Sequence, residues 1–492
     1  MKLSQPLADC LHGSQAPHLY LVGGAVRDWM LGRPVADYDV VVFGDPARLA
    51  WKLARARGLR PFRLGKGDMA VYRVVDGKTI YDFASLQGTC LEDDLKRRDF
   101  TINAMAYDLA TRSVIDPLGG RRDLRSRRIA FVSQAALKSD PLRMLRAFRL
   151  AAGLGFHIAP QTAEWIRRAA WRISESAPER VTAELFRLLA VSPSTPYVRQ
   201  AVNTGLLTQV IPELGACSGC GQNAYHRGDV LEHSLDTYEA LEWILSDFHR
   251  LWPDCVQPDC IGPDCIRVVA AYLAAKQRRT LLKWTALLHD LGKPATRRRD
   301  PAGRLRFIGH EITGARIAEA ITGRLRMSNE QSAYIVRMVK GHLYFPHLFR
   351  AHEKGALSSR AILRFIRKYG EDIIGLVILG VADQAAKSPS LEESLERFIT
   401  LGHTVLTRYV SDVRPKMETP RLLTGHDLIR DFHMKPSKLI GKVLDRIEEA
   451  RLEGHIQTRG EAIRLAGQLL NMEGDAGIEP ATPSSGGLCS IR

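Results

Sequence analysis

The sequence of 492 residues has little of several features that mark special classes of protein. Its 8 cysteines are too few and too scattered for a disulfide framework. No apolar run approaches the roughly 18 residues of a transmembrane helix, and the first residues lack the apolar region of a signal peptide. Acidic residues are also scarce, 54 against 70 Lys and Arg, which gives a formal net charge of +16. We therefore expect a cytoplasmic, non-membrane protein with a polyanionic partner, nucleic acid first.

Two groups of cysteines invite a metal-site interpretation. Cys217 and Cys220 have the spacing of metal ligands, and the tripeptide Pro-Asp-Cys recurs at Cys255, Cys260 and Cys265. A zinc or iron–sulfur site is one interpretation; reduced thiols in a surface insertion are the other. The sequence favours the second, so no cysteine cluster is included among the predicted metal sites, and the role of these cysteines stays open.

The chain changes character near residue 135. Between about residues 18 and 130, strand and helix patterns alternate, and an Asp76-Gly77 turn signal predicts a hairpin. Beyond about residue 138, helical periodicity dominates. The length favours about two to four domains. We predict an α+β multidomain fold: an α/β head with a small mixed sheet, followed by an all-α neck, body and tail.

Two aspartates, Asp37 and Asp39, stand where an apolar strand begins, and residues i and i+2 of a strand point to one face. Adjacent carboxylates repel each other unless cations neutralise them, and Mg²⁺ takes oxygen ligands. Asp82 has a similar position in a neighbouring strand and would supply a third carboxylate. Such a set is a metal clamp for displacement at phosphorus, although an isolated Asp-x-Asp is more often a solvated loop.

Polar residues around this strand suit a nucleotide. Gly23-Gly24 lies between strand and helix, where bare N–H groups can approach phosphates, and Arg27 follows on the first helical turn. Arg98, Asp99 and Asn103 could reach a ribose 2′-hydroxyl. The alternative is that Asp99 and the nearby threonine cap a helix start.

A further set surrounds Asp140. Asp140 and Arg143 are three residues apart, which predicts one helix face, and Arg146 lies one step further. An acceptor beside donors suits the Watson–Crick edges of C and A. Asp140 as a helix N-cap, with Pro141 at the first helical position, explains the spacing equally well.

The segments LVGGAVRDWMLGRPVADYDVVV, RRDFTINAMAYD and DPLRMLRAFRLAAGLGF resemble class II tRNA nucleotidyltransferases and bacterial poly(A) polymerases. The resemblance is close over about residues 18–215 and looser beyond. It implies that Asp37 and Asp39 hold catalytic Mg²⁺ ions while the 3′-hydroxyl of an RNA attacks the α-phosphate of CTP or ATP and pyrophosphate leaves.

The same resemblance gives the residues around Asp140 a role. It implies that Asp140 and Arg143 form a protein template that selects the nucleotide. Glu179, Arg180 and Glu184 would lie in a neck helix that braces this template. An ordinary salt-bridged helix explains those three residues as well.

Histidines and carboxylates recur in or beside apolar helical stretches of the C-terminal half. A single one is more often a core residue than a ligand, but the ordered series resembles the HD phosphohydrolase superfamily. This implies a divalent metal of open identity and hydrolysis of 2′,3′-cyclic or 2′-phosphate ends, with Lys293 near a phosphate. A tRNA-binding scaffold is the alternative. The implied ligands are His233, His289, Asp290 and Asp383, with His310 and His342 completing a two-metal version.

The predicted domains follow these motifs along the chain. They are a nucleotidyltransferase head (1–135), a helical neck with template and RNA-binding region (136–215), an HD domain (226–395), a helical tRNA-binding tail (396–473) and a disordered tail (474–492).

The leading functional hypothesis is an enzyme that adds CCA, or part of it, to tRNA 3′ ends from CTP and ATP. A poly(A) or A-adding polymerase is the nearest rival. A CC-only enzyme also stays open, because RPFRLGKGDMAVYRV occupies the place of the family's flexible loop for the switch from C to A. A rival of another class is an RNA-binding or nucleotide-sensing protein in which only the HD hydrolase works.

Overall fold

The structure is a computed structural model that describes residues 4, 7, 19–67, 70–222, 228–248, 263–387 and 392–474. The tail predicted to be disordered lies outside the described residues from 475 onward, so that expectation stays a prediction. Among the described helices, none is long and apolar enough to cross a bilayer.

A mixed seven-stranded sheet forms the N-terminal part, as predicted. Its spatial order is β3-β4-β5-β2-β1-β6-β7, in which β2 and β5 are parallel and the other neighbours antiparallel. The strands are β1 (Leu19–Val22), β2 (Asp37–Val42), β3 (Phe62–Leu64), β4 (Val71–Asp76), β5 (Thr79–Ser85), β6 (Ala106–Asp108) and β7 (Ser113–Ile115).

Helices accompany the sheet and then dominate. The first are α1 (Gly24–Met30), α2 (Pro46–Ala56), α3 (Leu91–Lys96), α4 (Gly120–Arg125), α5 (Gln134–Ser139), α6 (Arg143–Leu154), α7 (Pro160–Ala169), α8 (Pro178–Leu189), α9 (Thr195–Asn203), α10 (Leu206–Val210) and α11 (Pro212–Gly215). Two-residue strands β8 (Arg128–Ile129) and β9 (His157–Ile158) pair in parallel.

The remainder is almost wholly helical, which confirms the predicted fold class. Its helices are α12 (Val230–Ser246), α13 (Pro263–Ala274), α14 (Arg278–Leu288), α15 (Lys293–Thr296), α16 (His310–Arg324), α17 (Asn329–Gly341), α18 (Tyr344–Glu353), α19 (Ser359–Tyr369), α20 (Ile373–Ala385), α21 (Glu392–Arg408), α22 (Arg414–Glu418), α23 (Gly425–Phe432), α24 (Lys438–Glu453) and α25 (Arg459–Gly474). Strands β10 (Arg298–Arg299) and β11 (Leu305–Arg306) form a small hairpin.

Helix α2 shows how local sequence sets these elements. The Asp45 side chain accepts a hydrogen bond from the Ala47 N–H at 2.9 Å, and Pro46 occupies the first turn. Leu49 and Leu53 recur at helical spacing and are buried. The chain leaves the helix near Gly58, whose φ of 67° is available to glycine at little cost.

The chain divides into two compact units. The first comprises the described residues of Met1–Gln222, Gly228–Leu235 and Leu291–Tyr334; the second comprises those of Asp236–Asp290 and Ile335–Arg492. Each unit has an apolar core of its own. In the first, Val22, Val41, Leu95, Ala104 and Ala106 pack on one face of the sheet. In the second, the helices from α23 onward pack around Leu423, Leu428, Ile440, Val443, Ile447, Ile456, Ala462 and Ala466.

Candidate functional site

The paired aspartates lie side by side on the second strand of the first unit. Asp37 is exposed and Asp39 is half-buried. Asp39 stands opposite Val22 of β1 on one side and opposite Asp82 of β5 on the other. Because registered partners share a face of the sheet, Asp37, Asp39 and Asp82 all point to the same side.

The environment of Asp39 is unfavourable for its own negative charge. Burial raises the pKa of Asp39 above its ordinary value, the positive charge of Arg98 opposes this rise, and the charges of Asp82 and Asp37 add to it. The chain alone therefore leaves negative charge undercompensated here. Since the donors are carboxylate oxygens, the site fits a hard divalent cation.

Asp82 is engaged by a residue that the sequence motifs did not single out. Arg73 donates from Nε and Nη2 to the two oxygens of Asp82 at 2.7 and 2.6 Å. A bidentate pair of this kind is strong and fixes the carboxylate. Direct metal binding by Asp82 stays a prediction and would require Arg73 to release it. The hairpin register that pairs Asp76 with Thr79 also places Arg73 opposite Asp82. The turn signal in the sequence was therefore sufficient to predict this pairing.

Gly23 is required by close packing as well as by its backbone conformation. Its φ is 71°, and a Cβ there would lie 2.8 Å from Asp39 Oδ2 and 3.1 Å from Arg98 Nη1. The first distance is shorter than real contacts allow. Glycine therefore lets the backbone after β1 approach the aspartate and the arginine together.

A pocket of about 190 Å³ brings many of the predicted nucleotide residues together. All of its lining residues come from the first unit, at the end of β1, on β2, before the sixth strand and on α6. They are Gly23, Gly24, Asp39, Arg98, Asp99, Asn103, Arg143 and Arg146. Three arginines facing one small pocket suit an anion with several charges.

Hydrogen bonds hold these polar side chains in fixed positions. Arg27 Nη1 donates to Asn103 Oδ1 at 2.7 Å, and Asn103 Nδ2 donates to Asp99 Oδ1 at 3.0 Å. Arg146 Nη2 lies 2.8 Å from the other oxygen of Asp99. Asp28 holds Arg27 from the side at 2.8 Å. The alternative, in which Asp99 caps the start of a helix, is wrong. The segment that follows is a three-residue 3₁₀ turn without a side-chain cap bond, and a strand comes after it.

The structure corrects one sequence-based expectation about the template residues. Asp140 and Arg143 do not share a helix face, because Asp140 is in extended conformation between α5 and α6 and Arg143 is the first residue of α6. Asp140 Oδ1 accepts from the Leu142 N–H at 3.2 Å, so the capping interpretation is partly correct. The other oxygen accepts from Arg180 Nη2 at 2.8 Å.

Arg143 is largely committed to backbone contacts. Its Nη1 donates to the carbonyl of Ala136 at 2.9 Å and its Nη2 to that of Arg97 at 2.9 Å. Burial lowers the pKa of Arg143, and Asp99 partly counteracts this. Its buried Nε–H has no hydrogen-bond acceptor within the described part of the chain.

Helix α8 supports this region from the neck. Glu184 is buried and accepts from Arg149 Nε of α6 at 2.6 Å and from Arg187 Nη1 at 3.0 Å. Together with the pair of Arg180 and Asp140, this bond ties α8 to the start and middle of α6.

Four predicted HD ligands belong to the second unit and lie together there. His289 Nε2 is 3.2 Å from Asp290 Oδ2 and 3.9 Å from Asp383 Oδ1. His342 Nε2 is 3.7 Å from Asp290 Oδ1. All four are buried. Burial lowers the pKa of His289, but the carboxylates of Asp290 and Asp383 outweigh it and the net shift is upward.

The two histidines of this cluster have a fixed orientation that suits metal ligands. The Nδ1 atoms of His289 and His342 lie 2.8 and 2.6 Å from the carbonyls of Ala286 and Val339. A carbonyl can only accept, so Nδ1 carries a proton, and in the neutral form of each ring, which is the form that binds a metal, Nε2 keeps a lone pair. Imidazole nitrogens beside carboxylates fit a divalent metal such as Mn, Fe, Ni or Zn.

The other two predicted histidines lie in the first unit. His233 is buried on α12, and His310 opens α16 with its Nδ1 2.7 Å from the Phe307 carbonyl. Their membership of the metal set stays a prediction. Gly292 is required nearby, because a Cβ there would lie 2.0 Å from the His310 carbonyl oxygen. Lys293 is buried and donates to Gln222 at 2.6 Å, and its predicted phosphate contact remains untested.

Sequence reasoning did not single out Lys387, which lies one helical turn after Asp383 with its Nζ 3.1 Å from Asp383 Oδ2.

Cys217, Cys220 and Cys265 are buried and form no disulfide, while Cys255 and Cys260 lie outside the described residues. The candidate metal-binding groups among the described residues contain histidine and aspartate and no cysteine.

Comparisons with family profiles agree with this arrangement. Residues 19–130 match the poly A polymerase head domain, residues 155–217 match the probable RNA and SrmB-binding site of polymerase A, and residues 230–386 match the HD domain. Every predicted ligand of the HD series falls within the third match.

Solved structures share the fold. The Thermotoga maritima CCA-adding enzyme complexed with tRNA superposes with a TM-score of 0.60 at 20% identity, covering 93% of this chain and 91% of its own. A CCA-adding enzyme with CTP gives a TM-score of 0.61 at 18% identity and covers 96% of this chain and 99% of its own.

Similar curated proteins extend over nearly the whole sequence. The A-adding tRNA nucleotidyltransferase of Deinococcus radiodurans is 34% identical over 91% of this chain and 94% of its own length. The CC-adding tRNA nucleotidyltransferase of Thermus thermophilus is 34% identical over 90% and 91%. The resemblance inferred from the motifs is thereby confirmed. The chain belongs to the family of tRNA nucleotidyltransferases and bacterial poly(A) polymerases, and it carries an HD domain.

Proposed function

We propose that this enzyme, acting in the cytoplasm, adds the CCA sequence or part of it to the 3′ end of tRNA from CTP and ATP. The observation that carries the proposal is the pocket of about 190 Å³, in which Asp39 faces three arginines, Asp99 and Asn103. Carboxylates for a metal, cations for phosphates and polar groups for a ribose are the parts that nucleotidyl transfer requires.

Each group in the pocket has a proposed task. Asp37 and Asp39 hold Mg²⁺, which when bound activates the attacking 3′-hydroxyl and offsets charge on the leaving pyrophosphate. Arg98 and Arg146 neutralise the triphosphate at the end of β1. Asp99 and Asn103 accept from and donate to the ribose 2′-hydroxyl, so the enzyme selects ribonucleotides.

The template role is proposed for Asp140 in a form that differs from the sequence-based picture. Arg180 holds one oxygen of Asp140 at 2.8 Å, and the Leu142 N–H holds the other at 3.2 Å. The carboxylate is therefore oriented from two sides before any base arrives. Arg143 can present its buried Nε–H once its contacts with backbone carbonyls rearrange.

A basic cleft in the second unit, formed by α19 of the predicted HD domain and α24 of the predicted tail, supports tRNA binding. Two adjoining pockets of about 860 and 410 Å³ lie between α19 and α24. Seven basic side chains line them against three acidic ones, 7 − 3 = +4, and such an excess suits a phosphate backbone. They are Arg360, Arg364, Arg367, Lys368, Arg421, Lys442 and Arg446, with Asp445, Glu448 and Glu449.

The test uses three RNA acceptors with Mg²⁺ and labelled CTP or ATP: tRNA lacking CCA, tRNA ending in CC, and an unstructured RNA. Three nucleotides on the first and none on the unstructured RNA would identify a CCA-adding enzyme. Since A-adding and CC-adding relatives are equally identical to this chain, at 34%, a single A on the CC-ended tRNA or two C on the first would assign part of the reaction. Long A tracts on all three would identify a poly(A) polymerase, and no incorporation anywhere would refute the proposal.

A second activity is proposed for the HD domain: metal-dependent hydrolysis of 2′,3′-cyclic phosphates or 2′-phosphates. The oriented cluster of His289, Asp290, His342 and Asp383 favours it. Hydrolysis of 2′,3′-cyclic AMP and 2′-AMP is measured with Mn²⁺, Ni²⁺, Mg²⁺ or Zn²⁺. Turnover that disappears in Asp290→Asn supports the activity; no turnover with any metal leaves the HD domain as a scaffold.

A further inference from the structure

A continuous row of registered residues crosses the sheet at the level of the catalytic aspartate. Asp39 pairs with Asp82, Asp82 with Arg73, and Arg73 with Phe62 on the edge strand β3. Registered partners share a face, so Phe62 stands on the same face as Asp39. At about 4.8 Å per strand, its Cα lies about 14 Å from that of Asp39.

This face is covered on one side of the aspartates and open on the other. Towards β1, Val22 and Val41 pack beneath Leu95 of α3. Towards the edge, Phe62 is 47% exposed, Leu64 38% and Val75 40%. We call these three residues the edge patch. The opposite face is closed, since Val74, Tyr81 and Phe83 are buried there.

The direction of the reaction decides which substrate meets the edge patch. The cationic pocket follows β1, on one side of Asp39. In an in-line displacement, the attacking hydroxyl and the leaving pyrophosphate lie on opposite sides of the α-phosphate. With the triphosphate on the β1 side, the hydroxyl approaches over β5, β4 and β3, the part of the sheet that carries the edge patch.

The chemistry of the edge patch fits bases rather than phosphates. Phe62 and Leu64 are apolar, and the nearest cation on their row, Arg73, is already held by both oxygens of Asp82. Unpaired bases stack on exposed aromatic rings whatever their sequence. An acceptor whose 3′ end changes as each nucleotide is added needs a contact of this tolerant kind.

We propose that Phe62, flanked by Leu64 and Val75, is a stacking platform for an unpaired base next to the 3′ end of the acceptor RNA. The proposal rests on the proposed function for its substrate, and it assigns the open edge of the sheet to the RNA strand, as the pocket after β1 is assigned to the incoming nucleotide.

The experiment compares Phe62→Ala, Phe62→Trp and Trp51→Ala in the full-length chain. Trp51 is the matched control, because it is 44% exposed but lies on α2, which packs against β4 and β5 on the other side of the head. Steady-state addition to tRNA lacking CCA gives KM and kcat. Separately, 2-aminopurine at the unpaired 3′-terminal base reports stacking by the change in its fluorescence on binding. Thermal melting of each variant checks folding.

Phe62→Ala is expected to raise KM for tRNA about tenfold and to reduce the fluorescence change, with KM for the nucleotide unchanged. Phe62→Trp restores both, and Trp51→Ala leaves both at wild-type values. Equal KM and equal fluorescence in Phe62→Ala and wild type would overturn the platform while leaving nucleotide addition intact. A wild type that adds nothing but shows a Phe62-dependent fluorescence change would overturn the proposed function and keep the platform.

Discussion

The two carboxylate clusters of this chain differ in exposure and in partners. In the first unit, Asp37 is exposed, Asp39 is half-buried, and the neighbouring charges are arginines. In the second, His289, Asp290 and His342 are almost fully buried, and the neighbours of Asp290 are imidazoles whose Nδ1 atoms face backbone carbonyls. The first arrangement suits the proposed nucleotide and RNA substrates, which enter and leave, whereas the second suits the proposed metal ion.

The difference shows how the carboxylate of an aspartate can serve two purposes, depending on its neighbours. Arginine around an open carboxylate site supplies charge to a substrate that enters and leaves. Imidazole around a buried carboxylate would supply directional lone pairs to the metal ion proposed for this cluster. Substitutions in the cluster of the second unit should therefore change metal retention and leave nucleotide transfer intact. Substitutions in the cluster of the first unit should do the reverse.

The largest expected effect on binding is the loss of the retained metal. Asp290→Asn removes a ligand oxygen from the buried cluster and should weaken its metal binding more than a hundredfold. Metal content is measured by mass spectrometry after gel filtration. Asp39→Asn should leave the retained metal unchanged, because an open carboxylate pair exchanges its ion with solvent. Equal metal content in both variants would contradict the comparison.

Gly23→Ala should lower the rate of nucleotide transfer about a hundredfold, since the new Cβ would displace Asp39 or Arg98 and such shifts are costly. Gly32→Ala is the matched control: its φ is 68°, but a Cβ there meets nothing within 4 Å. Both variants carry a backbone strain of about 1 kcal/mol in chemical denaturation. If Gly32→Ala lost as much activity as Gly23→Ala, backbone strain rather than contact with Asp39 would be the cause.

Arg180→Ala should change the preference between CTP and ATP by about fivefold, the value of a partly exposed ion pair of about 1 kcal/mol. Asp140 then keeps only its bond from the Leu142 N–H and is less well oriented. Competition between the two labelled nucleotides measures the ratio. Arg168→Ala, which removes an exposed pair with Glu164, is the control. An unchanged ratio in Arg180→Ala would remove support for the template.

The smallest effect distinguishes an exposed thiol of the first unit from a buried thiol of the second by their reactivity. Burial raises the pKa of Cys265 to about 11, so its reactive thiolate is scarce at pH 8 and increases as the pH rises towards 11. Cys90 is exposed. Peptide mapping after brief alkylation at pH 8 should find Cys90 modified well before Cys265. Faster modification of Cys265 would show that its site opens.

Local sequence patterns predicted what depends on neighbours along the chain. The hairpin of β4 and β5 follows from its turn signal, and the shared face of Asp37 and Asp39 follows from strand alternation. The position of Asp140 was mispredicted because spacing alone does not show where a helix begins, and Pro141 permitted either assignment.

Contacts between segments that are distant in the sequence could be identified only from the structure. Asp140 meets Arg180 forty residues later, and Arg149 meets Glu184 across two helices, which no periodicity reports. The pairing of Asp82 with Arg73 is intermediate, because it follows from the hairpin register once the turn is known. The row of residues that ends at the exposed Phe62 could be identified only from the strand order together with the burial of each residue.

The most direct test places Asp39→Asn and His289→Ala beside the wild type with tRNA lacking CCA, CTP, ATP and Mg²⁺, and sequences the 3′ ends. The account predicts that His289→Ala adds the same nucleotides as the wild type and that Asp39→Asn, intact by thermal melting, is slower by on the order of a thousandfold. Addition that survives in Asp39→Asn but disappears in His289→Ala would contradict the assignment of nucleotide transfer to the head.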